Sequence, residues 1–278
     1  MSSQPVLRVG LVIADEMEFK PFAEWSQDQS ERRENQLLGY ERISFALENQ
    51  GRKIQLDAVL CGIGKVNAAT AAAFLASEGV DIMLNIGLSG AISNVRRGDF
   101  VAGTQYVEAD FDLTPLGYQL GEKPGQEFCY QADPRLLEAA QKACPGLKSG
   151  ILGCGDLFLN NADKKDLYYK TFDLTAFDME TGAIGSVCYR AGIPYLSIRK
   201  ISDDAAEQSV DEYTEMNNLA ESSLVDVLQS LLNQLMVGDS FWNLPIGRCE
   251  KRLMDIMNVS WCLCPLVQNR ILYMARLF

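Results

Sequence analysis

The sequence predicts an α/β fold in which helices cover a mostly parallel central β-sheet. Short apolar runs rich in β-branched residues, typical of buried strands, alternate along the chain with longer segments of helical spacing, which is the pattern of such folds. With 278 residues and 47% apolar composition, the chain can also bury one large core. Ligands of α/β folds collect at the carboxyl ends of the strands, so the residues that follow each predicted strand are candidates for a functional site.

The first half of the chain begins with a short apolar run, Arg8–Ala14, that predicts a buried strand. The segments that follow are a helix at 16–25, a strand pair at 40–47 and 53–61 joined across 49–51, an Ala-rich helix at 66–77 and a buried strand at 81–86. We expect the small residues Gly87–Ala91 to form a turn that ends this last strand.

The second half continues the alternation and closes with the longest predicted helix. Its segments are a strand at 100–107, a helix at 134–143, a strand at 148–154, a helix at 163–169, a strand end at 176–179, a helix at 180–191 and a strand at 194–201. Residues 210–236 predict one long amphipathic helix. Its start is indicated by Ser209 and, three residues later, Glu212, the spacing of a capping box.

The composition changes near residue 238, which predicts a domain at 1–237 and a C-terminal appendage of unknown role at 238–278. The last 41 residues hold three of the eight cysteines and two of the three tryptophans, and they are basic whereas the preceding part is acidic. A docking segment, an amphipathic segment that touches a membrane and a stretch of altered reading frame all fit this composition. We favour an appendage outside the domain at 1–237.

The sequence favours a cytoplasmic protein. The N-terminal residues lack the apolar core of a signal peptide, and no run of 18 apolar residues occurs. The eight cysteines are scattered, several of them within apolar strand or helix patterns. This distribution favours reduced thiols over a disulfide framework.

The net charge and the residue types present limit which ligands the protein can bind and which catalytic groups it can use. The formal net charge of -12 would repel nucleic-acid phosphates and anionic membranes, so we expect a small neutral or cationic ligand as the partner. The chain has no histidine, which excludes Ser-His-Asp and Cys-His catalysis and nearly every catalytic zinc site. We therefore expect catalysis by carboxylates, with no metal and no cofactor.

Carboxylates at the ends of apolar segments are the candidate acids and bases, because partial burial raises a carboxyl pKa toward neutrality. In Asp178-Met179-Glu180, between a strand and a helix, a carboxylate could accept two hydrogen bonds from a vicinal diol such as a ribose, or could cap the helix. After the next strand, we expect one of Asp203 and Asp204 in solvent and the other as a buried acid.

The acidic run Asp15–Glu18 starts the first predicted helix, where capping and solvation are the default explanation for acidic residues. Glu18 lies one turn into this helix, next to Phe19, and is the one expected to face inward.

Two glycine-rich segments follow predicted strands. Gly62-Ile63-Gly64-Lys65 is not a P-loop, since positions 59 and 66 lack the required Gly and Ser or Thr. A tight turn and a close backbone approach to a ligand are both compatible with it. Gly87-Leu88-Ser89-Gly90 offers amide groups and one hydroxyl, with a purely structural turn as the alternative.

The chain contains five separated motifs, which are Cys61–Ala68, Asn85–Gly90, Gly153–Phe158, Phe177–Gly182 and Ile198–Asp203. Their order and spacing resemble those of the 5'-methylthioadenosine/S-adenosylhomocysteine nucleosidases of the nucleoside phosphorylase superfamily. The resemblance spans residues 8–236. It implies a single α/β domain with a mixed central β-sheet flanked by helices, usually assembled as a homodimer, that hydrolyses the N-glycosidic bond to adenine.

The resemblance also implies roles for individual residues. Asp203 is similar to the acid that protonates purine N7, and Glu18 to the base that deprotonates the attacking water. The other matched positions imply substrate contacts: Glu180 with ribose hydroxyls, Met179 with the sugar, Phe158 and the backbone of Leu159 with adenine, Arg199 near the water, and Gly87, Ser89 and Ser202 beside them. Two carboxylates suit this reaction, because the leaving adenine needs a proton and the oxocarbenium-like sugar needs negative charge.

The chain departs from the family pattern at two places. Where the family has a run such as Thr-Gly-Ser-Ala-Gly-Gly, this chain has Ile86-Gly-Leu-Ser-Gly-Ala91, so the hydroxyl is displaced by one position onto Ser89. The segment Ala109–Tyr118 is longer than usual and could shape the pocket for the 5' substituent or a dimer contact.

Two other functions are compatible with such a pocket. A purine nucleoside phosphorylase would need a cationic phosphate site, but the first strand is followed by Ala14-Asp15-Glu16, whose negative charge should repel phosphate. A non-catalytic nucleoside-binding protein would not need both Glu18 and Asp203. A nucleosidase is therefore the leading hypothesis.

Overall fold

The computed structural model describes residues 5–206, 209–218 and 222–242, and within these ranges ten strands and seven α-helices alternate along the chain. The strands are β1 (Val6–Ile13), β2 (Ser30–Leu37), β3 (Tyr40–Asn49), β4 (Arg52–Leu60), β5 (Ile82–Ala91), β6 (Phe100–Glu108), β7 (Tyr130–Gln131), β8 (Lys148–Cys154), β9 (Leu174–Asp178) and β10 (Tyr195–Asp203). The helices are α1 (Glu16–Ser26), α2 (Lys65–Ser77), α3 (Pro134–Ala143), α4 (Ala162–Phe172), α5 (Thr181–Ala191), α6 (Ser209–Asn218) and α7 (Ser223–Val237).

The strands form one mixed sheet with β5 at its centre, and β5 is buried along its whole length. Its neighbours β1 and β10 run parallel to it, so that Asn85 pairs with Val12 on one side and with Ser197 on the other. Beyond β1 the order is β4, β3 and β2. On the other side, β10, β6, β8 and β9 pair in succession and β9 returns to β5, which closes this part of the sheet into a ring.

Residues that favour helix starts or tight turns follow several strands, so the chain enters a helix soon after leaving the sheet. After β1, the carboxylate of Asp15 caps α1 by accepting a hydrogen bond from Met17 N at 2.7 Å. After β4, Gly62 and Gly64 adopt φ angles of 81° and 103°, which glycine tolerates because it has no Cβ. Because β1, β4, β5 and β10 are parallel, their carboxyl ends meet at one edge of the sheet.

The predicted α/β class is confirmed, and the sheet is mixed, as the family resemblance implied. The predicted turn at Gly87–Ala91 is wrong, because β5 continues to Ala91. These residues are small because other groups approach them closely. A Cβ on Gly87 would lie 2.7 Å from Arg199 Nη1, and a Cβ on Gly90 would lie 2.8 Å from Asp203 Oδ1.

Two further element predictions differ from the structure. Instead of one helix over residues 210–236, there are two, α6 and α7, and Ser222 at the N-cap of α7 is a residue type that favours helix ends over helix interiors. Neither β2 nor the two-residue β7 was predicted. β2 lies at the edge of the sheet and has a polar sequence, so it lacks the alternation that a buried face imposes.

The chain after α7 is described as far as Trp242. Its indole Nε1 donates to Leu235 O at 2.7 Å, and buried Phe241 lies with its ring centroid 4.4 Å from the guanidinium carbon of Arg135. The rest of the predicted appendage lies outside the described residues, so the division at residue 237 stays a prediction. In the described part of the chain no helix is long and apolar enough to cross a membrane, and its cysteines are free thiols.

Candidate active site

A cavity of about 320 Å³ lies at the carboxyl ends of β1, β5, β9 and β10. Nine of the ten predicted site residues line it, namely Glu18, Ser89, Phe158, Leu159, Met179, Glu180, Arg199, Ser202 and Asp203. The tenth, Gly87, does not line the cavity and instead packs against the Arg199 guanidinium. The other lining residues are Ala14, Asp15, Ile63, Leu88, Gly90, Leu157, Phe177, Asp178 and Tyr213.

Glu18 reaches the cavity from the first turn of α1. Its Oε1 accepts a hydrogen bond from Leu88 N at 2.6 Å, whereas Oε2 is buried and has no hydrogen-bond partner among the described residues. Burial raises the pKa of Glu18 to about 8, and the opposing charge of Arg199 limits the rise. A carboxylate with one free, buried oxygen beside a cavity can accept a proton from a molecule bound there.

Asp203 ends β10, and both of its oxygens accept hydrogen bonds. Oδ2 receives one from the Ser202 hydroxyl at 2.6 Å, and Oδ1 receives one from Ala205 N at 2.8 Å. Burial raises the pKa of Asp203 above its ordinary value, against the effect of these two hydrogen bonds, and the negative charges of Glu212 and Asp204 raise it further. Asp204 itself is exposed, so one of the two aspartates lies in solvent and the other is buried, as expected.

Asp178 and Glu180 lie in different surroundings, one at the start of a helix and the other at the cavity. Asp178 accepts hydrogen bonds from the backbone N–H groups of Glu180 and Thr181, both at 2.8 Å, and therefore holds the start of α5. Glu180 lines the cavity, where its Oε1 accepts from Gly64 N at 3.2 Å. Burial raises the pKa of Glu180, and Arg199 opposes the rise.

Arg199 is a buried cation that connects these groups. Its Nε donates to Ser89 Oγ at 2.9 Å, one Nη donates to Leu88 O, and the same Nη2 lies 3.4 Å from Glu180 Oε2. Burial lowers the pKa of Arg199, but Asp178, Glu180 and Glu18 raise it more, so the group is charged. The displaced hydroxyl of Ser89 is thus bonded to the arginine at the cavity wall.

Aromatic side chains also line the cavity. Phe158 is 40% exposed and makes an edge-to-face contact with Tyr213, with ring centroids 5.5 Å apart. Leu159 is buried, and Leu159 and Met179 both line the cavity. The flat, apolar surfaces suit a planar heterocycle.

Sequence reasoning missed Tyr213. It lies on α6, within a segment predicted as part of one long amphipathic helix, and no motif includes it. Because α6 packs next to β10, Tyr213 reaches the cavity only through tertiary folding.

The Gly62–Lys65 turn approaches the cavity through its backbone, since Gly64 N binds the Glu180 carboxylate. Lys65 is paired, because its Nζ lies 2.7 Å from Asp110 Oδ1. The long segment Ala109–Tyr118 therefore contacts this turn, but none of its residues lines the cavity. Within the described ranges, no group of three Cys, Asp or Glu side chains is placed to hold a metal ion.

Known proteins are similar to this chain in sequence and in fold. The chain matches the Phosphorylase superfamily over residues 8–233. A 5'-methylthioadenosine/S-adenosylhomocysteine nucleosidase from Geobacillus kaustophilus is 34% identical over 195 residues, 66% of this chain and 83% of the relative. One from a Marinomonas species is 30% identical over 232 residues, 81% of this chain and 97% of the relative. The solved structure of S-adenosylhomocysteine nucleosidase from Streptococcus pyogenes, in complex with 5-methylthiotubericidin, aligns with a TM-score of 0.76 and 25% identity, covering 84% of this chain and 99% of the other.

Proposed function

This chain belongs to the 5'-methylthioadenosine/S-adenosylhomocysteine nucleosidase family of the phosphorylase superfamily, and we propose that it hydrolyses the N-glycosidic bond of 5'-thio-substituted adenosines, releasing adenine and a 5-thioribose. The observation that carries this proposal is one cavity that holds both Glu18 and Asp203. Arg199 lowers the pKa of Glu18, against burial and the negative charges of Glu180 and Asp15, whereas the negative charges of Glu212 and Asp204 raise the pKa of Asp203.

In the proposed reaction, the bond between C1' and N9 breaks and its electron pair moves into the purine. Asp203 gives its proton to N7, so adenine leaves as a neutral molecule. The oxygen of a water molecule bonds to C1', and Glu18 accepts a proton from that water. Ionised carboxylates at the cavity wall stabilise the oxocarbenium-like sugar, and a positioned acid or base contributes about 10²- to 10⁴-fold in rate.

The remaining predicted residues bind the substrate in this proposal. Glu180 accepts hydrogen bonds from the ribose hydroxyls, and its own carboxylate is held by Gly64 N and Arg199. Met179 contacts the sugar, and adenine lies against Phe158 and the backbone of Leu159. The neighbouring Ser202 fixes the Asp203 carboxyl through its hydroxyl.

A purine nucleoside phosphorylase is the nearest rival, and the charges at the cavity disfavour it. Phosphate would need an available cation, but Arg199 contacts Glu180 and Lys65 is paired with Asp110. Asp15 also lines the cavity and adds negative charge there, which disfavours a bound phosphate.

We expect adenine release from 5'-methylthioadenosine to proceed at the same rate with and without inorganic phosphate, because water is the nucleophile. The measurement is chromatographic detection of adenine and of the sugar product in phosphate-free buffer and in added phosphate. A rate that vanishes without phosphate, or a sugar 1-phosphate product, would contradict hydrolysis. Binding of the nucleoside without any turnover would instead favour a non-catalytic binding protein.

We propose further that the enzyme is a homodimer in the cytoplasm and that its reaction serves methionine salvage. The family membership supports the dimer and the pathway, and the free cysteines of the described residues agree with a reducing compartment. The net charge of -12 disfavours nucleic acid as a partner. Light scattering on the purified chain measures the oligomeric state.

A further inference from the structure

Asn85 is a buried amide in the middle of β5 that does not line the cavity. It is 1% exposed, and its side chain bonds to both neighbouring strands. Nδ2 donates to Val12 O at 2.9 Å, and Oδ1 accepts from Ser197 Oγ at 2.6 Å. Oδ1 also accepts from Arg199 Nη1 at 3.0 Å. The amide thus has a fixed orientation and keeps one carbonyl oxygen directed at the arginine.

The Arg199 guanidinium has to be held from several sides, because it is fully buried and planar. Ser89 Oγ binds Nε, Leu88 O binds Nη2, and Asn85 Oδ1 binds Nη1. The contact of Nη2 with Glu180 at 3.4 Å is longer than these three. Neutral acceptors therefore fix the plane of the guanidinium, and its charge is left to act on the carboxylates.

We propose that Asn85 is a positioning residue for the nucleosidase reaction, which holds the Arg199 guanidinium between the Glu180 carboxylate and the Leu88 backbone that binds Glu18. The inference rests on the proposed function of the cavity. Leu88 contributes twice, since its carbonyl accepts from Arg199 and its N–H donates to Glu18 Oε1. Movement of the guanidinium would therefore alter both the group that accepts the water proton and the group that binds the ribose.

An amide suits this position better than a carboxylate. An aspartate would keep the two acceptor bonds to Ser197 and Arg199 but could not donate to Val12 O. It would also add a negative charge next to an arginine that already faces several acidic groups. The titratable groups that face Glu18 or Arg199 are Asp15, Cys61, Asp178, Glu180, Tyr195 and Tyr213.

The test uses Asn85→Ala and the isosteric Asn85→Asp in steady-state assays of adenine release across pH. For Asn85→Ala, we expect kcat/KM to fall by about 10- to 100-fold, because a hydrogen bond to a charged group is lost, with no shift of the pH profile. For Asn85→Asp, we expect the limb of the profile that reports ionisation of Glu18 to move to higher pH, because the new charge weakens the effect of Arg199 on Glu18.

Ser197→Ala is the matched control, since it removes the other hydrogen bond to Asn85 Oδ1 and leaves the one to Arg199. We expect its kcat/KM to remain within about threefold of the wild type. A double-mutant cycle then tests whether Asn85 affects kcat/KM through Arg199. In an Arg199→Lys background, Asn85→Ala should add less than about threefold, because residues that act through one contact are not additive.

Each result decides the inference. Additive effects of Asn85→Ala and Arg199→Lys, or identical pH profiles of Asn85→Asp and the wild type, would overturn it. A purely structural role would lower the melting temperature of both Asn85 variants while leaving kcat/KM per folded molecule unchanged. If the wild-type protein releases no adenine, the proposed function fails instead, and that outcome is distinguishable because it precedes any variant.

Discussion

Glu18 and Asp203 line the same cavity, and burial raises the pKa of both, but their immediate surroundings differ. Both oxygens of Asp203 accept hydrogen bonds, and the main charges acting on it, those of Glu212 and Asp204, are negative. Glu18 has one oxygen without a partner among the described residues, and the main charge acting on it is the positive Arg199. The negative neighbours of Asp203 favour its protonated form. Arg199 favours the ionised form of Glu18, but burial and the negative charges of Glu180 and Asp15 hold the pKa of Glu18 at about 8, so Glu18 acts as a base only as the pH approaches that value.

The largest expected effect tests the acid side of this comparison. Asp203→Asn should lower kcat by about 10³- to 10⁴-fold, because the amide cannot give a proton to the leaving adenine. Binding of 5'-methylthioadenosine, measured by calorimetry, should change little, since the amide retains the shape of the carboxyl. The matched control is Asp204→Asn at the exposed neighbour, which should keep nearly full activity. Normal turnover in Asp203→Asn would refute the acid assignment.

Substitution of Glu18, the proposed base, should lower kcat less than substitution of Asp203 does, and it should change the pH dependence of the reaction. Glu18 must be ionised to accept a proton, and its pKa of about 8 in the free protein predicts that kcat/KM rises with pH up to about that value. Glu18→Gln cannot titrate, so this rising limb should disappear while kcat falls about 10²- to 10³-fold. Profiles of kcat/KM from pH 5 to 9 measure both effects. A rising limb that persists in Glu18→Gln would assign it to another group.

The smallest expected effect concerns Glu180, a third carboxylate of the same cavity, to which we assign ribose binding and no proton transfer. Glu180→Gln should weaken the binding of ribosides by about 10- to 100-fold, because hydrogen bonds to a charged acceptor are replaced by weaker ones. Binding of 2',3'-dideoxy analogues should hardly change. Calorimetry with both ligand types measures the difference, and equal losses for the two would contradict a ribose contact.

The sequence predicted those parts of the site that lie at the junctions of strands and helices. The position of Glu18 in the first turn of its helix predicted that it faces inward, and a buried acid was expected at Asp203 or Asp204, but the choice of Asp203 came from the family resemblance. The capping function of Asp178 could be stated only as an alternative, since the choice depends on the backbone angles at the start of α5.

Other parts depend on tertiary contacts that no local pattern records. Tyr213 joins the cavity because α6 packs near β10, and Gly87 faces a guanidinium that is 112 positions further along the chain. The small residues Gly87–Ala91 were interpreted as a turn, although a strand packed closely against large side chains requires the same composition. The polar edge strand β2 carries no hydrophobic period and was therefore missed.

The closed ring of strands also has a consequence for the order in which the protein folds. The pairing of β5 with β10 brings together Ser89 and Arg199, which are separated by 110 residues. Contacts between residues so far apart in sequence form slowly, because closing the long loop costs conformational entropy before any stabilising contact has formed. The strands between them, β6, β8 and β9, have to be in place for the ring to close. We therefore expect a partly folded chain, even one with most of its helices formed, to have no nucleoside-binding site.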